Sequence, residues 1–174
     1  MLIRRETPED AGAVDHVTAL AFARPGATGD VPEARLVREL RACDAWLPAL
    51  SFVAVAEGAA GQVVGHVVCG RGRVEAAPVL ALGPLSVRPG HQRRGVGSAL
   101  VHTVLGAADA SGEPLVALLG DPAYYGRFGF RPAGEYGVIP PVAGWRPHFQ
   151  VRTLSAYDPA LRGTFAYPAP FDRV

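Results

Sequence analysis

The chain of 174 residues contains no lysine: all 17 of its Lys/Arg positions are arginine, set against 16 acids for a formal net charge of +1. So small an excess provides no global field toward nucleic acid or a membrane surface, and neither is expected as a partner. Arginine accompanies abundant Ala, Gly, Pro and Val, a GC-rich codon pattern. It is also the better residue for gripping phosphate. Cysteine is scarce. Cys43 and Cys69 are far apart and form no C-x-x-C pair, and no His/Cys cluster has metal-ligand spacing. Two buried, reduced thiols and no bound metal are expected. No uncharged apolar run reaches the roughly 18 residues that a membrane span requires. The opening M-L-I-R-R-E-T-P lacks a signal peptide's apolar stretch. A cytoplasmic protein is expected. Repeats, low-complexity tracts and interdomain linkers are also missing. With 49% hydrophobic and 19% charged residues, a single domain spanning 1–174 with a sizeable core follows.

The local patterns predict alternating strands and helices. Leu2 to Arg5 reads as a strand. Thr7-Pro8-Glu9-Asp10 is a helix start, with an apolar face at Ala13, Val14, Val17, Leu20 and Ala21. A loop runs from Arg24 to Gly29. Asp30 with Glu33 forms a second capping signature before Leu36, Val37 and Leu40. Phe52 to Glu57 and Gln62 to Cys69 form a hairpin around a Gly58–Gly61 turn, continuing irregularly through Arg71 to Val74. Val79 to Val87 is the next strand. Gly83-Pro84 lies inside it, and because proline donates nothing to a ladder, a bulge or an unpaired edge is expected there. The helix Val96–Ala110 follows, then a wholly apolar strand, Leu115 to Leu119. Asp121-Pro122 starts a short helix that Gly129 ends, with a strand beginning at Phe130. The Pro- and Gly-rich stretch from Pro132 to Pro147 reads as a loop or lid. His148–Leu154 and Gly163–Tyr167 are weaker strand candidates.

The most informative stretch joins the strand ending at Val87 to the helix starting at Val96. Its loop carries Arg88, Arg93, Arg94, Gly95 and Gly97. A helix's first turn has N–H groups without intrahelical partners, and the macrodipole adds positive charge there. Gly95 and Gly97 lack a β-carbon that would hold a ligand off the backbone. The arrangement reads as a phosphate cradle. It is not a nucleoside triphosphate loop, because no G-K-[ST] follows. It is a poor dinucleotide fingerprint, because the third glycine would fall on Leu100.

Gln92-Arg93-Arg94-Gly95-Val96-Gly97 resembles the Q/R-x-x-G-x-G/A loop of the GNAT superfamily of N-acetyltransferases. Tyr125-Gly126-Arg127-Phe128-Gly129-Phe130 resembles the Y-x-x-x-G-F segment after that family's fifth strand, and the order of elements agrees. The phrases L-G-P-L-S-V-R-P and G-D-P-A-Y-Y-G-R-F-G-F are similar to a YhbS-like bacterial branch. The resemblance covers about residues 1–135 as a core, with 136–174 as a C-terminal extension holding the lid loop and weak strands. It implies an α/β (α+β) fold: a mixed central sheet splayed between strands 4 and 5, with helices on both faces. It also implies acetyl-CoA as co-substrate. Gln92, Arg93, Arg94, Gly95, Val96, Gly97 and Ser98 would hold the pyrophosphate. Leu85, Ser86 and Val87 would pair with the pantetheine arm, a backbone N–H there polarising the thioester carbonyl.

Tyr125 holds the matching position for a general acid that protonates the leaving thiolate. A positioning hydrogen bond is the competing role, and Tyr124 reads as packing. No base is identified: Asp30, Glu33, Glu57, His66 and Glu75 are candidates by location only. His91 reads as exposed. Asp121 stands where the family often has asparagine and reads as a helix cap. The acceptor, an amine of a small molecule, peptide or protein, belongs between the first two helices, the 71–78 loop and the 132–147 segment, near Arg35, Arg38, Trp46, Trp145 and Arg146. Arginines there would favour an acidic acceptor. The implied activity is N-acetyl transfer by direct attack of the amine. The alternatives are a catalytically weak acyl-CoA-binding sensor or scaffold, and a nucleotide-binding regulator using the same loop. A homodimer is compatible with such a fold.

Overall fold

The structure, a computed structural model, describes residues 1–24, 26, 29–58 and 61–173. Pro25, Ala27 and Thr28 of the first expected loop, and Ala59 and Ala60 of the expected hairpin turn, lie outside the described residues.

The first four strands are β1 (Leu2–Arg5), β2 (Ser51–Val55), β3 (Val63–Val74) and β4 (Ala77–Val87), joined in antiparallel order. β5 (Leu115–Leu119) lies parallel to β4, and β8 (Phe149–Thr153) continues the sheet antiparallel to β5. The two-residue β6 (Arg131–Pro132) ends the order β1-β2-β3-β4-β5-β8-β6. The two-residue β7 (Val138–Ile139) pairs with β9 (Gly163–Ala166), which also pairs with the far end of β3.

Helices cover both faces. α1 (Ala11–Phe22) and α2 (Pro32–Arg41) seal one face through Val14, Val17, Val37, Val53 and Val63. α3 (Val96–Ala110) seals the other with Val96, Leu100, Val101 and Val104, packed on Val64, Val67 and Leu80. These apolar positions recur at helical spacing, so one side of α3 is buried along its length. A second core, with Phe149, Val151 and Phe165, draws in Tyr136, Trp145 and Tyr167. The mixed sheet is therefore the expected one.

Four local expectations change. β3 does not become irregular after Cys69: Gly70–Val74 pair in register with β4 as far as Ala77, and the expected 71–78 loop is a tight turn at Glu75 and Ala76. α2 is capped by Val31 rather than Asp30, because Pro32 takes the first helical position. Asp30 instead forms an ion pair with Arg38. The 132–147 stretch is not an open loop. It contains short 3-10 turns at Ala133–Tyr136 and Ala143–Trp145 and buries Ala133 and Val138.

The expected irregularity in β4 is present. Val67 faces Leu85 and Cys69 faces Leu82, so Val68 stands opposite two residues, Gly83 and Pro84, in a β-bulge. The Gly83–Pro84 peptide is cis. The β4–β5 ladder holds only at Leu80↔Val116 and Ala81↔Ala117. β4 then runs on from Leu82 to Val87 with no strand beside it on that edge among the described residues.

Candidate functional site

The loop after β4 turns through a short 3-10 segment, Pro89–His91, and reaches α3 through Gly95 in the left-handed region at φ 83°. That φ suits a residue without a side chain. Arg93, at φ 58°, takes the same region at a steric cost. Gln92, Arg93, Arg94 and Gly95 are exposed. Among the described residues no backbone hydrogen bond engages the N–H groups of Arg93 to Ser98. They open the 15-residue α3 and form a concave donor array at its positive end, suited to an anion. The Gln92 side chain donates to Val87 O at 3.0 Å and ties the loop back to the strand. His91, expected exposed, is half-buried.

Gly97 has a packing reason beside the expected one. A β-carbon there would lie 2.7 Å from the Tyr124 hydroxyl, and Val87 and Leu85 are also close. The missing side chain makes room for Tyr124, which therefore walls the loop as well as packing on the core.

Beside the loop, the unpaired edge of β4 is exposed to the splay. Arg88 N–H donates to Val64 O at 2.9 Å. Antiparallel strands alternate their bonding direction, so Ser86 also faces β3. The N–H groups of Leu85 and Val87 consequently point away from β3 into the gap. The Ser86 side chain is buried on the α1 face, where its hydroxyl meets Thr18 Oγ1 at 3.1 Å. Only the backbone of Ser86 is near the gap.

Two cavities meet along this edge. One of about 320 Å³ lies at the loop, lined by Val87, Gln92, Arg93, Gly97 and Tyr124. The other, of about 420 Å³, lies in the splay between Leu82–Leu85 of β4, Leu119 at the end of β5, and Tyr125. Both are lined by Phe22 and Leu85, so one groove passes from the anion cradle into the sheet.

Asp121 caps α4 (Pro122–Tyr125), accepting from Ala123 N–H at 2.9 Å, as expected of it. This turn places Tyr125 at the inner end of the groove. Its ring packs edge-on against Tyr124 and Phe130, with centroids 4.9 and 5.8 Å away. It lies so close to Gly120 that a β-carbon there would meet Tyr125 Cε2 at 2.4 Å. No hydrogen bond engages the Tyr125 hydroxyl among the described residues. Burial, with a smaller contribution from Tyr124, pushes its pKa up to about 12. The phenol therefore carries its proton throughout the physiological range.

The carboxylates and histidine named from sequence separate clearly. Glu57 pairs with the N-terminal amine, Asp30 with Arg38, and Glu75 accepts from Thr164 N–H at 2.6 Å. His66 is fully buried on the sheet, its Nε2 2.9 Å from Ser51 Oγ and 3.1 Å from Glu6 Oε2. Burial holds His66 below its ordinary pKa. Burial alone would raise the Glu6 carboxyl, but hydrogen bonds from His66 and Ser51 and the charge of Arg41 hold it low. This cluster ties β1, β2 and β3 together and opens onto neither cavity. Only Glu33, in the first turn of α2, reaches the splay cavity.

The aromatic positions also separate. Trp145 lines the splay cavity, together with Tyr167 and Phe171. Trp46 instead stacks under Arg41 at 5.7 Å. Arg38 bonds Asp15 and Asp30, and Arg146 lines a different cavity. Phe22, Leu119, Tyr167 and Phe171 were missed by the sequence reading. The only available signal was the run of aromatics in the last ten residues, Phe165, Tyr167 and Phe171. Among the described residues, no group of three His, Cys, Asp or Glu side chains is placed to hold a metal ion, and no helix is long and apolar enough to cross a membrane.

Known proteins match this arrangement. Residues 48–132 fit the Acetyltransferase (GNAT) domain family. The chain is 34% identical over 165 residues to the uncharacterized N-acetyltransferase YhbS of Escherichia coli K12, covering 94% of this chain and 92% of that protein. The crystal structure of Escherichia coli YhbS in complex with CoA superposes with a TM-score of 0.87, at 32% identity over 99% of this chain and 92% of that one. A GNAT family acetyltransferase from Brucella melitensis in complex with acetyl-CoA gives a TM-score of 0.77, at 34% identity, covering 98% and 97% of the two chains.

Proposed function

This chain belongs to the GNAT family of N-acetyltransferases, and we propose that it transfers an acetyl group from acetyl-CoA to a primary amine by direct attack. The observation that carries the reading is the continuous groove from the N-terminal end of α3 to the free hydroxyl of Tyr125. The crystallised relatives from Escherichia coli and Brucella melitensis hold CoA and acetyl-CoA, which supports the same ligand here.

The residues fit acetyl-CoA on three counts. The unpartnered N–H groups of Arg93 to Ser98 suit a pyrophosphate. Arg93 and Arg94 are exposed beside them and offer charge to the same phosphates. The edge of β4 from Leu85 to Val87 offers two inward N–H groups to an extended arm, as a neighbouring strand would. The ligand supplies a thioester, whose acyl carbon is the electrophile.

Each group in the splay then has a task. The Leu85 or Val87 N–H donates to the acyl oxygen and stabilises the negative charge that develops there. The acceptor nitrogen forms its bond to the acyl carbon while the carbon–sulfur bond breaks. The nitrogen, neutral when it attacks, then loses a proton to water, and the departing thiolate takes one from water. Tyr125, neutral and otherwise unpartnered, donates a hydrogen bond to that sulfur. Among the described residues no cysteine lines the cavity, so the acyl group has no thiol there to rest on. Trp145, Tyr167 and Phe171 of the C-terminal stretch cover the acceptor end of the cavity.

Calorimetry with acetyl-CoA, followed by a thiol-release assay across a broad amine panel, tests the reading. Micromolar binding with amine-dependent thiol release is expected. Binding without release from any amine would favour a sensor or scaffold role, and no binding at millimolar ligand would reject both.

A further inference from the structure

The acceptor end of the splay cavity has an unusual charge pattern. Its walls are aromatic and aliphatic: Phe22, Leu36, Trp145, Tyr167 and Phe171 face Leu119 and Tyr125 across it. Trp145 meets Tyr167 edge-on at 6.2 Å, and Phe171 stacks on Tyr167 at 4.8 Å with 23° between the rings. The two phenols are neutral, because burial pushes both hydroxyls up. Among the described residues no arginine or histidine lines the cavity, and one carboxylate does: Glu33. That carboxylate forms no hydrogen bond or ion pair with the described residues, whereas Asp15, Asp30 and Glu6 each have an arginine partner.

An unpaired carboxylate beside aromatic faces attracts one chemical class. Aromatic faces present negative electrostatic potential to a cation, and a half-buried carboxylate on the same cavity adds to it. The cavity's about 420 Å³ is in the size range of small-molecule sites. An acidic acceptor would find no counter-charge and would be repelled by Glu33. A polycation would leave its further charges against aliphatic walls.

Resting on the acetyltransferase reading, we infer that Glu33 and the aromatic wall select a singly charged primary ammonium carried on an apolar body. Glu33 binds the ammonium, which passes one proton to water before its nitrogen attacks, and Trp145, Tyr167 and Phe171 hold the apolar remainder. Glu33 is thus a specificity-determining residue. Its placement in the first turn of α2 also favours the helix electrostatically. A purely helix-stabilising role would leave amine selectivity unchanged, which separates the two.

The test uses 2-phenylethylamine, its carboxylated counterpart phenylalanine, and the neutral isostere 2-phenylethanol as an inhibitor. The wild type is expected to favour 2-phenylethylamine over phenylalanine by about tenfold or more in kcat/KM. Glu33→Gln should raise KM for 2-phenylethylamine by about tenfold, the weight of a charge-assisted hydrogen bond. kcat at saturation should change little, and inhibition by 2-phenylethanol should be unaltered. Trp145→Leu, the second variant, should weaken the amine and the alcohol alike. Acetyl-CoA binding by calorimetry verifies that each variant is folded. If the wild type releases no thiol with any amine, the acetyltransfer reading fails, and binding of 2-phenylethylammonium to the CoA-loaded protein still decides the inference. Binding weakened by Glu33→Gln supports it. Equal binding to both proteins, no binding, or a preference for phenylalanine overturns it.

Discussion

Replacing Tyr125 with phenylalanine removes one oxygen and leaves the packing against Gly120, Tyr124 and Phe130 in place. The expected magnitude follows from the phenol's acidity. Its pKa is about 12, and an ordinary thiol has a pKa of about 8.5. Complete proton transfer from phenol to thiolate is therefore uphill by about 3.5 units, or ~5 kcal/mol. A neutral hydrogen bond to a charged sulfur costs nothing of that kind and contributes ~1.5–3 kcal/mol. Tyr125→Phe should accordingly lower kcat by about 10- to 150-fold, leaving KM for acetyl-CoA within a factor of about two. The assay is steady-state thiol release at saturating amine, repeated from pH 6 to 10. Because Tyr125 stays protonated over that range, the wild-type kcat should show no falling basic limb. The defect should shrink with acyl donors whose thiols are more acidic, since their thiolates need less help. An unchanged kcat would refute the role of the hydroxyl. A wild-type basic limb between pH 8 and 9 that vanishes in the variant would refute the argument from acidity and point to full proton transfer.

Two further predictions rest on different parts of the structure. Gly120→Ala should force the Tyr125 ring aside, because the new β-carbon would sit 2.4 Å from Cε2. kcat should fall about tenfold or more with acetyl-CoA affinity preserved, and the change should add nothing to Tyr125→Phe. The Asp10 carboxyl is held at about 2, below its ordinary 3.8, chiefly by the hydrogen bonds from Arg4 and, less, those from Thr7. A depressed carboxyl stabilises the fold above its unfolded pKa, and that contribution disappears as pH falls from about 4 through about 2. Because Arg4 is partly open to water, ~1 kcal/mol is expected. Urea melts of Asp10→Asn should show that loss at pH 7 and only a small remnant of it at pH 2.

Features built from neighbouring residues were legible in the sequence. The strand, glycine loop and helix around Gly95, the bulge at Gly83-Pro84, and the cap at Asp121 each depend on a few consecutive residues whose backbone preferences agree. The α2 cap shows how such a reading fails. Asp30 and Glu33 have the capping spacing, but Pro32 claims the first helical position and releases both acids. Asp30 then pairs with Arg38, and Glu33 faces the cavity. The packing reason for Gly97 was not legible, because its neighbour Tyr124 is 27 residues away. The acceptor walls were mostly illegible. Phe22, Glu33, Trp145, Tyr167 and Phe171 come from four separate stretches, and only tertiary packing brings them together. Of the arginines named for an acidic acceptor, Arg38 pairs with Asp15 and Asp30, Arg35 with Glu39, and Arg146 lines a different cavity.

The short ladder between β4 and β5 has a consequence for what can enter. A sheet's unpaired edge ordinarily lies at its rim, where any extended chain can add to it from the side. Here the unpaired edge is internal: β5 is bonded to β4 at two residue pairs, and α4 and the C-terminal aromatics close over the gap. A guest bonded to that edge would therefore lie between two strands of one sheet, flanked by Leu82–Leu85 and Leu119, rather than at a rim. The width of the gap then matters as much as its polarity: a slim, linear guest would reach the backbone groups, whereas a broad or branched one would meet the flanking side chains first.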